Sequence, residues 1–273
     1  MTKPDIRQPA HPAPASQPDW DDLTEDIFGL NIRAARTVWD LLIRPAKVFT
    51  AARTADWTGA YTPTFRVFFS LIAIMFLFKF FWAGEDAMIR APFEAAADKL
   101  QVAEPGIDTE YFILTLMDRN WILYPFAIGF WAITAAVALN IWGKGTSLVT
   151  RVRLYFAAVI PSTVLTVLWT ITSAKLPGSI MWMSAVMTVI VTLLADGVTT
   201  WRGLAPVHSG FQRVWRTILL SLVTTAVSLM APVTSSIGAG LWTNGEIERE
   251  LERLKGLETS VDEPAPSETA APL

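Results

Sequence analysis

Five apolar runs constrain this chain more than any other feature. Each is near or above the roughly 20 residues that a helix needs to cross a ~30 Å hydrocarbon layer. They are FRVFFSLIAIMFLFKFFWAG at 65–84, WILYPFAIGFWAITAAVALNIW at 121–142, VRLYFAAVIPSTVLTVLWTITSA at 152–174, SIMWMSAVMTVIVTLLADGVTTW at 179–201 and VWRTILLSLVTTAVSLMAPVTSSIGAGLW at 214–242. A backbone inside lipid must satisfy its own hydrogen bonds, so these runs are expected as helices. A β-barrel would need roughly ten-residue strands of alternating polarity. The expected fold class is therefore all-α, a polytopic transmembrane helix bundle of about five spans. Trp and Tyr favour the two membrane–water interfaces, and Trp82, Trp121, Trp142, Tyr155, Trp169, Trp182, Trp201, Trp215 and Trp242 stand near the ends of the runs. Pro232 leaves the fifth run open as one tilted or kinked helix or as two re-entrant halves.

Orientation follows from the basic residues, which accumulate on the cytoplasmic side. The 27–66 segment holds Arg33, Arg36, Arg44, Lys47, Arg53 and Arg66 against Asp40 and Asp56. The second-to-third connection has Lys144, Arg151 and Arg153, the fourth-to-fifth has Arg202, Arg213 and Arg216, and neither holds an acid. The first-to-second loop, 85–120, and the tail after Trp242 are rich in Asp and Glu. Lys175 is the single charge in the third-to-fourth turn. Five crossings with a cytoplasmic N-terminus and an extracytoplasmic C-terminus reproduce this alternation.

The flanks divide as follows. Residues 1–22 carry Pro4, Pro9, Pro12, Pro14 and Pro18 among polar residues, a composition expected to stay disordered. Residues 23–64 place Phe28, Ile32, Ala35, Trp39 and Leu42 at helical spacing, and Pro45 is expected to start a second short helix with Val48, Phe49 and Ala52. Arg33, Arg36, Arg44, Lys47 and Arg53 interleave with them, so the segment suits the headgroup layer or the inner face of the bundle. The acidic outer loop contains two helical stretches, MIRAPFEAAADKLQ and IDTEYFILTLMDR, as a hairpin or as an outward extension of the second crossing. Residues 243–273 begin as a charged amphipathic helix and end as a Pro/Ser/Ala tail. No apolar h-region opens the chain, so the run from Phe65 would act as an uncleaved signal anchor.

Chemistry is sparse. The chain has no cysteine and only His11 and His208, which removes thiol chemistry, disulfides and histidine or cysteine metal sites from the expectation. A net charge of -3 argues against nucleic acid as a partner. No nucleotide-binding, zinc-protease or nucleophile-elbow motif occurs, and GKGTS at 143–147 reads as a turn. Neither an enzyme nor a cofactor is expected. Ionisable groups inside a span are the default functional candidates. Asp196 lies near the inner end of the fourth run, where it caps the helix or pairs with Arg66 or Arg202, or lines a path. Lys79, near the outer end of the first, can snorkel to the interface. Asn140 near the inner end of the second run and Pro161, expected to break the third and free a carbonyl, complete the candidates. Thr163, Thr166, Thr170, Ser184, Thr188, Thr192, Ser221, Thr224, Thr225 and Ser228 form hydroxyl faces suited to helix packing or to a polar path.

A helix with LLIRPAKVFTAAR at 41–53, ahead of a five-pass bundle, resembles the Yip-domain superfamily of five-pass membrane proteins in its bacterial form, with Pro45 and Phe49 at the motif positions. The resemblance implies a non-enzymatic adaptor. The leading expectation is accordingly a scaffold that organises membrane partners in the bilayer. The second is a transporter or channel component with a polar path near Asp196, and the third a lipid-acting membrane enzyme. The excess of Arg over Lys and the many Ala point to a bacterial inner membrane.

Overall fold

The structure is a computed structural model, which describes residues 32–54, 57–82, 90–95, 109–173 and 177–261. The sequence expectations for 1–31, Phe28 included, for half of the outer loop and for the last twelve residues fall outside this set. The described residues are helical, with no strand among them. They form α1 (Ile32–Ile43), α2 (Pro45–Ala51), α3 (Trp57–Ala60), α4 (Thr64–Trp82), α5 (Thr109–Ala138), α6 (Leu148–Ser173), α7 (Met181–Gly203) and α8 (Gly210–Val261).

Four helices, Thr109–Ala138, Leu148–Ser173, Trp182–Gly203 and Gly210–Glu246, are long and apolar enough to cross a membrane. Their outward faces carry Phe126, Phe130, Trp182, Met183, Leu194 and Leu222, all more than half exposed. An apolar surface of that extent is unsuited to water and suited to lipid. The chain therefore fits a polytopic integral membrane protein. In the bundle, α8 packs along α5 and α7, while α6 packs along α4 and α7. Gly129 lets α5 approach Phe69 of α4: a Cβ there would lie 3.2 Å from the ring.

Three prolines lie inside long helices, Pro125 in α5, Pro161 in α6 and Pro232 in α8, and each helix is continuous through its proline. Pro161 thus does not break α6. It has no N–H, so the carbonyl four residues earlier, on Ala157, loses its helical donor. The fifth apolar run is one helix that continues beyond the apolar stretch. The stretch from Thr109 extends the second one at its N-terminal end, where Phe112, Ile113 and Leu116 pack with Phe93 and Ala239. Arg90 binds Glu94 and Glu110 there, and Arg119 binds Glu246 of α8.

The opposite end of the bundle is capped by α1–α3. Pro45 disfavours a helical Arg44 and supplies a ready-made first turn for α2; Arg44 sits at φ -134°, ψ 54°. Ala34, Thr37 and Leu41 recur on one face of α1 and are buried. With Val48, Phe49, Trp57 and Tyr61, Ala34 and Leu41 join Leu154, Tyr155 and Phe156 of α6 in one core. Phe49 sits against α7 so closely that a Cβ on Gly203 would lie 2.5 Å from its ring. The helical part of the second run ends at Ala138, and Gly143 and Gly145 take positive φ in the loop that follows. Trp142 belongs to this loop and is fully buried, edge-on to Phe49 at 6.0 Å between centroids. Its expected interfacial position is corrected: the loop folds inward under the cap, and the indole becomes core.

Candidate functional site

The four-residue spacing of Ser184, Thr188, Thr192, Asp196 and Thr200 sets five polar residues along one face of α7. Asp196 stands seven residues before Gly203, about 10 Å from that helix end. Its side chain is fully buried, and neither carboxylate oxygen has a hydrogen-bond partner. The expected helix-end cap or arginine partner does not form, since Asp196 lies on the inward face. Arg202 instead reaches the Ile43 carbonyl on the outer surface of the cap.

A cavity of about 100 Å³ adjoins the carboxylate, lined by Tyr155, Ser162, Thr192 and Thr224 among others, with Phe68 and Ile72 of α4 closing one side. Ser162 and Thr224 interact with Asp196, yet in this arrangement their hydroxyls are turned to their own helices. Ser162 Oγ donates to the Val159 carbonyl at 2.9 Å and Thr224 Oγ1 to that of Ser221 at 3.1 Å. Rotation about one side-chain bond redirects either hydroxyl, as staggered wells permit. The hydroxyls of Thr200, Ser221 and Thr225 are buried and have no partner. A second cavity, of about 270 Å³, shares Met75, Tyr124, Thr166 and Thr188 with the first and extends to Asn120, Ser173 and Ser184 at the end remote from the cap. There the Trp169 indole N–H donates to Ser184 Oγ at 2.8 Å. The hydroxyl faces of α6, α7 and α8 therefore converge on one axial crevice with a carboxylate at its base.

The other candidates lie elsewhere. Asn140 is exposed in the loop after α5, beyond the helix rather than inside its end, so the crevice does not include it. Pro161 is buried in α6 next to Ser162. Lys79 falls within α4, and its side chain lies outside the described residues. Arg33, Arg36 and Arg44 are exposed, and Arg36 stands over the Tyr61 ring at 5.8 Å. Arg53 donates to the Trp142 carbonyl at 3.0 Å, and Arg216 to that of Ile141, clamping the loop after α5. His208 sits 3.2 Å from Arg216; burial, then the Arg216 charge, holds its imidazole below its usual range.

A second buried aspartate, Asp40 in the cap, is richly partnered. It accepts from the Tyr61 hydroxyl at 2.7 Å and from Lys47 at 3.3 Å. The Tyr61 hydrogen bond, joined by Lys47, outweighs burial and holds the carboxyl below its ordinary value. Burial, then the Asp40 bond, pushes the Tyr61 phenol up to about 12. Sequence reasoning noticed Asp40 only as a charge. It also passed over Ser162 and Thr200, although Thr200 continues the four-residue ladder through Asp196. Compared with known proteins, the chain matches no family model, no curated protein and no solved structure.

Proposed function

We propose that this is a five-pass inner-membrane protein of bacterial type, a transporter or channel component whose solute path ends at Asp196. The observation that carries the reading is the unpartnered carboxylate facing a hydroxyl-lined crevice. Leaving a polar group buried without a partner costs about 1–3 kcal/mol, and more when it is charged. A bundle that served only as a platform gains nothing from that cost. The fifth crossing is α4: its 19 residues rise about 28 Å, near the ~30 Å of a hydrocarbon layer. The basic cap then lies in the cytoplasm, and the wide end of the crevice opens outward.

A second reading keeps the chain as a scaffold. It is favoured by α1, where Ile32, Trp39 and Ile43 form an exposed apolar stripe flanked by Arg33 and Arg36, opposite the buried face. Such a face suits the anionic headgroup layer or an adaptor's partner. The Yip-domain likeness carried by Pro45 and Phe49 belongs with this reading.

Cysteine accessibility separates the two, because the chain has no cysteine of its own. Single cysteines replace Thr188, Thr192, Ser147 and Ser260, and a small membrane-impermeant thiol reagent is added to intact and to opened cells. The transport reading expects labelling at positions 188 and 192 from outside, at 260 from outside and at 147 only after opening. Protection of 188 and 192 on both sides would return the weight to a closed scaffold. Labelling of 260 from inside alone would remove the fifth crossing.

A further inference from the structure

The crevice also specifies what it receives. We propose that Asp196 is the anchor of a binding site for a desolvated monovalent alkali cation, of the sodium class, held by this one carboxylate and surrounding hydroxyl oxygens. The proposal rests on the water-accessible path argued above.

The donor set supports it first. Around Asp196 the described polar side chains that line the cavity, Ser162, Thr192 and Thr224 among them, offer oxygen and no nitrogen, and the one sulfur, of Met75, lies where the lining is shared with the second cavity. Ser221 Oγ is partnerless and lies against the next residue, where a Cβ on Gly197 would come within 3.2 Å of it. Oxygen-only sets select hard cations over the softer transition metals. Charge comes second. Among the described residues Asp196 is the only carboxylate lining the cavity, and no three of His, Cys, Asp or Glu come together. Divalent calcium sites use several carboxylates, whereas one carboxylate neutralises one positive charge. Size comes third. About 100 Å³ takes an ion with one or two waters, each of which occupies ~30 Å³ in the liquid.

The hydroxyls can serve the ion from the positions they already hold. Ser162 and Thr224 now donate to main-chain carbonyls of their own helices. That leaves hydroxyl lone pairs free, so both can ligate a cation without losing those hydrogen bonds. A proton alone would satisfy one carboxylate oxygen and leave this convergence of oxygens without use.

The test is equilibrium binding of radioactive sodium ion to the full chain in lipid nanodiscs. Saturable binding near one ion per chain is expected, displaced by lithium and not by choline. Asp196→Asn should weaken it at least tenfold, and Thr192→Val several-fold, with helix content unchanged by circular dichroism. No saturable binding to the wild-type chain, or binding that survives Asp196→Asn, overturns the assignment. Labelling at position 192 in the same nanodiscs tells the two claims apart. Label without sodium binding sinks the cation and leaves the path; no label and no sodium binding sinks both.

Discussion

The two buried aspartates, Asp40 in the cap and Asp196 in the bundle, show how one residue type serves two ends. Asp40 is 7% exposed and Asp196 0%, so burial does not separate them. Partners do. Asp40 accepts from Tyr61 and Lys47 at hydrogen-bonding distance, whereas neither Asp196 oxygen has a partner at that distance and the nearby Ser162 and Thr224 hydroxyls donate to their own helices. The cap is built like a soluble core, with its carboxylate neutralised and its aromatic rings interlocked. The bundle holds a polar group that its own side chains leave unsatisfied. Polar groups paired in this way fix a structure, and groups left unpaired at a cavity are available to a ligand.

Several substitutions break or sharpen that contrast. The largest effect falls in the cap: Phe49→Ala removes the ring that joins Trp142 to Gly203, and such truncations cost about 3–5 kcal/mol. Thermal unfolding in detergent should show a drop of several degrees or more. The aspartates themselves should then respond with opposite sign. Asp40→Asn removes a charge-assisted hydrogen bond and an ion pair, and should destabilise by about 1–3 kcal/mol. Asp196→Asn exchanges a buried carboxyl without a partner for an amide of the same shape, and in sodium-free buffer it should leave stability equal or raised. Gly203→Ala pushes a methyl into the Phe49 ring, and overpacking of this kind costs about 1–3 kcal/mol; the same change at Gly240, where a Cβ would meet nothing within 4 Å, should be neutral or slightly stabilising.

The smallest effect is in pH. Asp40 has a depressed folded value, so its contribution is present above the unfolded value of about 3.9 and is lost as pH falls through the lower folded value. Tyr61 is raised to about 12 from 10.0, so its contribution is present below pH 10 and is lost as pH rises toward 12. Melting temperature against pH should therefore fall at both extremes. Tyr61→Phe should flatten the alkaline limb relative to wild type, and an unchanged alkaline limb would argue against the Asp40–Tyr61 bond.

What the sequence made legible follows from what periodicity can carry. Run length and apolarity marked α5–α8 as membrane-length helices, and the same reasoning singled out Asp196 by its place inside a run. GKGTS read correctly as a turn. The surroundings of Asp196 were not legible, because a hydroxyl at helical spacing looks the same whether it faces a helix or a cavity. Only tertiary placement brings Ser162 of α6 and Thr224 of α8 to the Thr192 face. Trp142 misled for a related reason: an indole near the end of an apolar run fits the interface and a buried core equally well, and the choice was made by a loop that turns at Gly143 and Gly145. Asn140 went with it, because the second run keeps its apolar character for several residues after the helix ends at Ala138.

The most direct test of the central claim is the melting temperature of Asp196→Asn measured beside that of Asp40→Asn, without and with sodium. Without sodium the Asp196 variant should melt at or above the wild type while the Asp40 variant melts below it, and added sodium should raise the melting temperature of the wild type but not of Asp196→Asn. An Asp196 variant destabilised as much as the Asp40 variant would contradict that claim, because Asp196 would then be a structural residue with partners of its own.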